Sequence, residues 1–215
     1  MNENLSEAQY DITKKSKLKR FYETNKILIF STISILVIAT VSVIFYSEIK
    51  EKKKVLLADD YLSAKVYLEN GDRDKVTDIL KTVIFADDST YSTLSLFLIL
   101  DENLVVDRRE LSNLFNHVLE NNKFEKEIKN LIIFKRALFQ SNFVNELELL
   151  EAVKPLINTE TVWRPHSLLL LGDYFASKKE YLKAKELYMQ ILSLKNLQKE
   201  LYNQARSRLI FVAND

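Results

Sequence analysis

ILIFSTISILVIATVSVIFY, residues 27–46, is the stretch on which the reading of the fold turns. No residue between Lys26 and Glu48 carries a charge. At 1.5 Å per residue, about 20 residues of helix span ~30 Å, the thickness of a bilayer's hydrocarbon core. Ile, Val and Thr are weak helix formers in water. In lipid the backbone must satisfy its own hydrogen bonds, so a single span has to be a helix. A buried core helix is the alternative, but core helices are rarely apolar on every face for this long. The expectation is a transmembrane helix over residues 27–47.

A cleaved signal peptide would have a shorter apolar core and small residues directly after it. Here the run ends Phe45-Tyr46-Ser47-Glu48-Ile49, with no such site, so the anchor is expected to stay. The N-terminal side carries Lys14, Lys15, Lys17, Lys19, Arg20 and Lys26, against Lys50, Lys52, Lys53 and Lys54 beyond the span. Six against four puts residues 1–26 in the cytoplasm as a tail and residues 48–215 on the far side. That tail is mixed in charge and is expected to be largely disordered, its basic cluster touching anionic headgroups.

Composition narrows the remainder. The chain has 215 residues, with two Gly, two Pro and no Cys. Average usage would give roughly fifteen Gly and eleven Pro. Strand-rich folds need these residues in their turns, so their scarcity argues for helices joined by short loops. The lack of Cys excludes disulfides, thiolate metal sites and lipid attachment at a Cys. A net charge of +1 gives no basic excess of the kind a nucleic-acid-binding face needs.

Periodicity then lays out the helices. Leu57, Tyr61, Ala64 and Leu68 share one face, so the anchor helix is expected to run on until Gly71 supplies a left-handed stop. Val76, Ile79, Leu80, Val83 and Ile84 mark the next helix. Asp87-Asp88-Ser89 offers N-caps to a short apolar run, residues 94–100, read as a buried helix. Asp107 and Glu110 have capping-box spacing ahead of Leu111, Leu114, Phe115, Val118 and Leu119. Ile128, Leu131, Ile132 and Phe139 mark a fifth soluble helix. Leu147, Leu150, Val153 and Ile157 mark a sixth, bent or ended near Pro155. Helices are expected over 165–177, opened by Arg164-Pro165, then over 180–194 and 197–212. Short loops make sequential helices antiparallel pairs.

One pair carries a motif. The tetratricopeptide repeat reads W-x2-L-G-x2-Y, then A-x3-F, over 34 residues. This chain has Leu168-x2-Leu171-Gly172-x2-Phe175, then Ala184-x3-Tyr188. Small Gly172 and Ala184 would let two helices approach, with Leu171, Phe175 and Tyr188 filling the space around them. A weaker copy lies upstream, Ala64-x2-Tyr67, then Val76-x3-Leu80. Residues 90–157 would hold two degenerate repeats that keep the helical period without the signature.

In this layout the chain resembles the YfgM-like tetratricopeptide family of bacterial inner-membrane proteins. The resemblance is strongest over residues 163–215, where LLLLGDYFASKKEYLKAKELYMQIL looks like a closing repeat followed by a solvating cap helix bearing Arg206 and Arg208. It implies an all-α fold: a single N-terminal transmembrane helix, then a TPR-like helical-repeat solenoid in the periplasm. It also implies a role accessory to the protein-export translocon or its chaperones.

No catalytic grouping is visible, and neither metal nor cofactor is expected. His117 and His166 lie far apart and read as helix-surface residues. Asp59-Asp60, Asp72/Asp74 and Asp87-Asp88 read as caps and solvated faces. Two Gly leave no phosphate-cradling loop, and no Ser sits in a G-x-S-x-G elbow. Trp163, beside Arg164 at a helix start, is either local packing or a partner contact. The leading expectation is therefore a membrane-anchored module that binds protein partners. A scaffold subunit of an envelope complex, and an import receptor with its repeats in the cytosol, are the alternatives. Contiguous exposed aromatics in a groove would favour peptide binding, whereas a dispersed polar face would favour docking on a folded partner.

Overall fold

The computed structural model describes residues 17–213, and within them the chain forms nine α-helices and no strand. The first, α1, spans Lys17–Glu69. It contains the one described helix long and apolar enough to cross a membrane. Every residue from Phe30 to Lys50 is exposed, so no other described part of the chain covers this stretch. Its hydroxyls turn inward on their own helix: Thr32 Oγ1 donates to Leu28 O, Thr40 Oγ1 to Leu36 O and Ser42 Oγ to Ile38 O, each at 2.8 Å. That pattern leaves these side chains acceptable in lipid.

The expectation of a largely disordered tail needs correcting where it can be tested. Residues 1–16 lie outside the described residues, but Lys17 to Thr24 are already helical. The helix breaks stride at Asn25 (φ −114°, ψ 16°), where Asn25 Nδ2 donates to Phe21 O at 3.1 Å. No Gly or Pro intervenes between Lys17 and the anchor, and nothing else in the sequence stops a helix there.

The chain divides into two compact units, one through Val55 and one from Leu56. In the second, the end of α1 is followed by α2 (Arg73–Ile84), α3 (Ser89–Asp101), α4 (Arg108–Asn121) and α5 (Lys126–Gln140), then α6 (Glu146–Ile157), α7 (Arg164–Ser177), α8 (Tyr181–Leu192) and α9 (Lys199–Ala213). The closest pairings are α7 with α8, α8 with α9 and α2 with α3. Two apolar clusters form the interior. One gathers Ala64, Leu80, Leu96, Phe115 and Ile132, the other Val153, Leu171, Phe175, Tyr188 and Ile191. Each fully buried Leu, Ile or Phe contributes about 1.5–3 kcal/mol relative to exposure.

The helix ends show how a glycine-poor chain turns. Gly71 closes α1 at φ +82°, with Asp72 N donating to Tyr67 O. The same left-handed position after α3 and α7 is filled by Asn103 (φ +50°) and Lys179 (φ +63°). There Leu104 N donates to Ile99 O and Glu180 N to Phe175 O, the six-to-one bond of a Schellman motif. Asp87 (φ +58°) and Asn196 (φ +57°) are left-handed after α2 and α8. Asp88 and Asn145 cap α3 and α6 through their side chains, each contribution worth roughly 0.5–2 kcal/mol.

Three local expectations change. Asp107 does cap α4, accepting from Arg109 N and Glu110 N, and those bonds hold its carboxyl below the usual range. Glu110 does not complete a capping box; its carboxylate pairs with Lys81 of α2. The faces of α5 and α6 hold at Ile132 and Val153, which are buried as expected, but change at the first residue named for each. Ile128 is exposed while Ile132, Ile133 and Ala137 are buried, and Leu147 is exposed while Leu149, Val153 and Leu156 are buried. Both helices have apolar residues on more than one face, so period alone admits two registers. α6 ends two residues past Pro155, at Ile157, near where the sequence places its end.

Candidate functional groove

The residues singled out for repeat packing are structural. Leu168, Leu171, Gly172, Phe175, Ala184 and Tyr188 are all buried between α7 and α8. A Cβ added to Gly172 would stand 2.9 Å from Tyr188 Cδ1 and closer still to Cε1, so only glycine admits the Tyr188 ring here. In the upstream copy Ala64, Val76 and Leu80 share one core, but Tyr67 is only half-buried, its ring 3.7 Å beneath Lys75 Nζ. Gly71 serves the turn and would meet nothing within 4 Å if given a Cβ.

The surface with chemical potential lies beside this pair, where α5, α7 and α9 run next to one another. α7 packs on both, so side chains of three helices converge on one groove. A recess of about 260 Å³ is lined by Phe134 and Leu138 of α5, Leu170 and Asp173 of α7, and Leu201 and Gln204 of α9. It adjoins a larger recess of about 860 Å³ between the residues opening α7 and the α8–α9 loop. The two share His166, Gln198 and Leu201.

Aromatic rings floor the junction. Trp163 stacks on Phe134 with centroids 5.5 Å apart, and His166 lies 5.4 Å from Trp163 and 5.8 Å from Phe134. Trp163 is the N-cap residue of α7 but makes no side-chain cap; its indole Nε1 donates to Glu127 O at 3.1 Å. Thr161 is held in place by its hydroxyl, which donates to Glu127 Oε2 at 2.7 Å and accepts from Asn130 Nδ2 at 3.0 Å. These bonds clamp the α6–α7 loop onto α5 and fix the aromatic floor. Leu138 and Val162, 44% and 63% exposed, leave the groove with apolar walls open to solvent.

The ionic groups are unevenly satisfied. Asp173 Oδ1 accepts from Tyr188 Oη at 2.8 Å and from Arg208 Nε at 2.6 Å, tying α7, α8 and α9 together at one end. Burial, reinforced by the Asp173 carboxylate, pushes the Tyr188 phenol well above its usual range, so it stays protonated as a donor. At the other end, Arg164 has a buried Nε with no acceptor. Among the described residues Arg164 forms no ion pair.

Sequence reasoning flagged Trp163 and Arg164 but missed their company. His166 is not a bare surface residue; its Nδ1 stands 3.2 Å from Val162 O, and its ring belongs to the aromatic cluster. His117 likewise meets Asp87 Oδ1 at 2.8 Å and the Phe85 ring at 4.6 Å. Phe134 reads in the sequence as one more apolar residue of α5, and nothing there marks it as a partner for Trp163. Among the described residues no group of three His, Cys, Asp or Glu side chains could hold a metal. No protein-family model matches the chain, and neither a curated protein nor a solved structure is significantly similar to it.

Proposed function

We propose that this chain is a membrane-anchored protein-binding module whose α5–α7–α9 groove receives a polypeptide segment. The observation that carries the reading is the contiguous Phe134–Trp163–His166 cluster in a solvent-open groove. The aromatic floor suits apolar side chains of an extended chain, and polar residues around it such as Gln198 and Gln204 suit the polar backbone of that chain. The side-by-side placement of α5, α7 and α9 supports a TPR-like solenoid, in which alternate helices line a concave surface.

The apolar stretch of α1 supports the anchor, and the flanking Lys and Arg support a cytoplasmic N-terminus with the helical domain in the periplasm of a bacterial inner membrane. The resemblance to YfgM-like proteins makes the export translocon or its chaperones the favoured partners. Tethering raises effective concentration, so a dissociation constant of ~μM would still matter locally.

Protease added to spheroplasts tests the topology; digestion of the helical domain is expected, and full protection would refute it. Pull-downs from solubilised membranes with the full chain and with a form lacking residues 1–47 test the tether. Partners should be recovered mainly with the full chain. Equal recovery by both forms would remove the role assigned to the anchor.

A further inference from the structure

We propose that the groove selects polypeptide segments in which acidic side chains flank an apolar stretch, with one carboxylate seated against Arg164. This rests on the reading of the groove as a polypeptide site and adds its selectivity. Arg164 lines the larger recess, yet its buried Nε has no acceptor and no carboxylate of the described chain pairs with it. A guanidinium offers five N–H donors in a planar fork that matches a carboxylate, and a buried donor left unmatched is unfavourable.

The surroundings add to the demand for an anion. Arg164 opens α7, whose first turn has neither a side-chain cap nor an acidic residue, so the positive end of the helix dipole is uncompensated there. Lys195, exposed on the facing α8–α9 loop, lines the same recess and forms no ion pair among the described residues. Two carboxylates lie nearby, and neither pairs with Arg164. Glu127 accepts the Thr161 hydroxyl, and Glu160 is exposed on the rim.

The rest of the groove makes a different demand. Next along it come the Phe134–Trp163 stack and then Leu138 and Leu201, which offer apolar area. At the far end Asp173 is already held by Tyr188 and Arg208, and Glu200, which accepts from Gln204 Nε2, adds a second carboxylate there, so the demand for an anion lies at the Arg164 end alone. A segment of apolar residues preceded or followed by Asp or Glu meets both demands. A basic segment would leave Arg164 unmatched and place like charges together.

The test uses the full chain in lipid nanodiscs and fluorescence anisotropy. Three labelled twelve-residue peptides share a Leu- and Phe-bearing core flanked by Asp, by Asn or by Lys. The Asp peptide should bind about tenfold tighter than the Asn peptide, equivalent to about 1.4 kcal/mol, with the Lys peptide weakest. Arg164→Gln should bring the Asp and Asn affinities together; Lys195→Gln, on an exposed loop, should narrow the ratio without affecting folding. Leu138→Asn, which removes apolar area without adding charge, should weaken all three. Free N-acetyl-aspartate amide, lacking the apolar core, should not displace the Asp peptide, and displacement would reduce the site to a simple anion site and overturn the proposal. Peptides that bind with no preference for Asp, or a preference that survives both Arg164→Gln and Lys195→Gln, would overturn the selectivity and leave the polypeptide reading standing. Failure of the parent chain to bind any of the three would remove both.

Discussion

Two stretches of this chain are apolar on every face, and they meet opposite fates. Residues 30–46 of α1 are exposed throughout, whereas α3, which contains LSLFLIL at 94–100, is packed into a protein core with Ser92, Ser95, Leu96 and Ile99 all buried. Their hydroxyls differ only in part, since Thr93 of α3 also bonds back to its own helix, at Ser89 O. Those of the anchor bond back to carbonyls of the same helix, Thr40 to Leu36 and Ser47 to Val43. In α3, Ser92 Oγ reaches out of its helix to Ile84 O of α2 at 2.9 Å. A helix facing lipid keeps its polar atoms to itself, because no neighbour can accept them. A helix inside protein can use the same atoms to fix its neighbour.

The strongest way to break the comparison is to charge the anchor. Val37→Arg with Ile38→Arg places two cations near mid-span, each disfavouring insertion by about 2.5–3.5 kcal/mol. The doubly substituted chain should leave the membrane fraction in carbonate extraction while circular dichroism of the helical domain is unchanged. Retention in the membrane would mean that residues 27–46 do not span it.

The second effect separates the two stretches by one identical change. Leu96→Ala removes a fully buried side chain and should cost about 2–5 kcal/mol in denaturant unfolding. Leu36→Ala, at a residue 62% exposed, should leave the unfolding of the helical domain unaltered. Equal effects would contradict the division of the chain into two units.

Gly172→Leu sharpens the account at the α7–α8 crossing. It forces a branched side chain into the Tyr188 ring, and overpacking of that kind destabilises by roughly 1–3 kcal/mol. An unchanged melting temperature would show that the close approach is not needed.

The smallest effect compares two serines of α3 itself. Ser92→Ala should destabilise by about 1 kcal/mol, the net worth of a hydrogen bond. Ser95 Oγ is buried without a partner, so Ser95→Ala should be neutral or stabilising by up to about 1 kcal/mol. Opposite signs in thermal unfolding are expected; a matched loss at both positions would mean that Ser95 has a partner.

What could be read in advance follows from how local the physics is. The long apolar helix, the Gly71 stop and the Asp88 cap each depend on a few residues in a row, and the sequence displays them; the Gly172 crossing with Tyr188 was legible through a spaced motif. The inward faces of α5 and α6 depend on which neighbours arrive, and there the apolar pattern of Ile128 to Ile133 and Leu147 to Leu150 is ambiguous. The polar group Asp101-Glu102-Asn103 marks the end of α3 in the sequence, whereas the left-handed turn at Lys179 has no such mark, since lysine has no preference for that conformation. The groove was least legible. Phe134 and Trp163 are 29 positions apart in the chain and become partners only through the clamp of Thr161 on Glu127.

The central claim, that the α5–α7–α9 groove receives a polypeptide, is tested most directly by photocrosslinking in intact membranes. A photoreactive amino acid placed at Leu138, in the groove, is compared with one at Leu182, which is 80% exposed but outside it. Crosslinked polypeptide should form from Leu138, be reduced by Arg164→Gln, and be absent or unaffected by that substitution from Leu182. Equal crosslinking from both positions, indifferent to Arg164, would contradict the account.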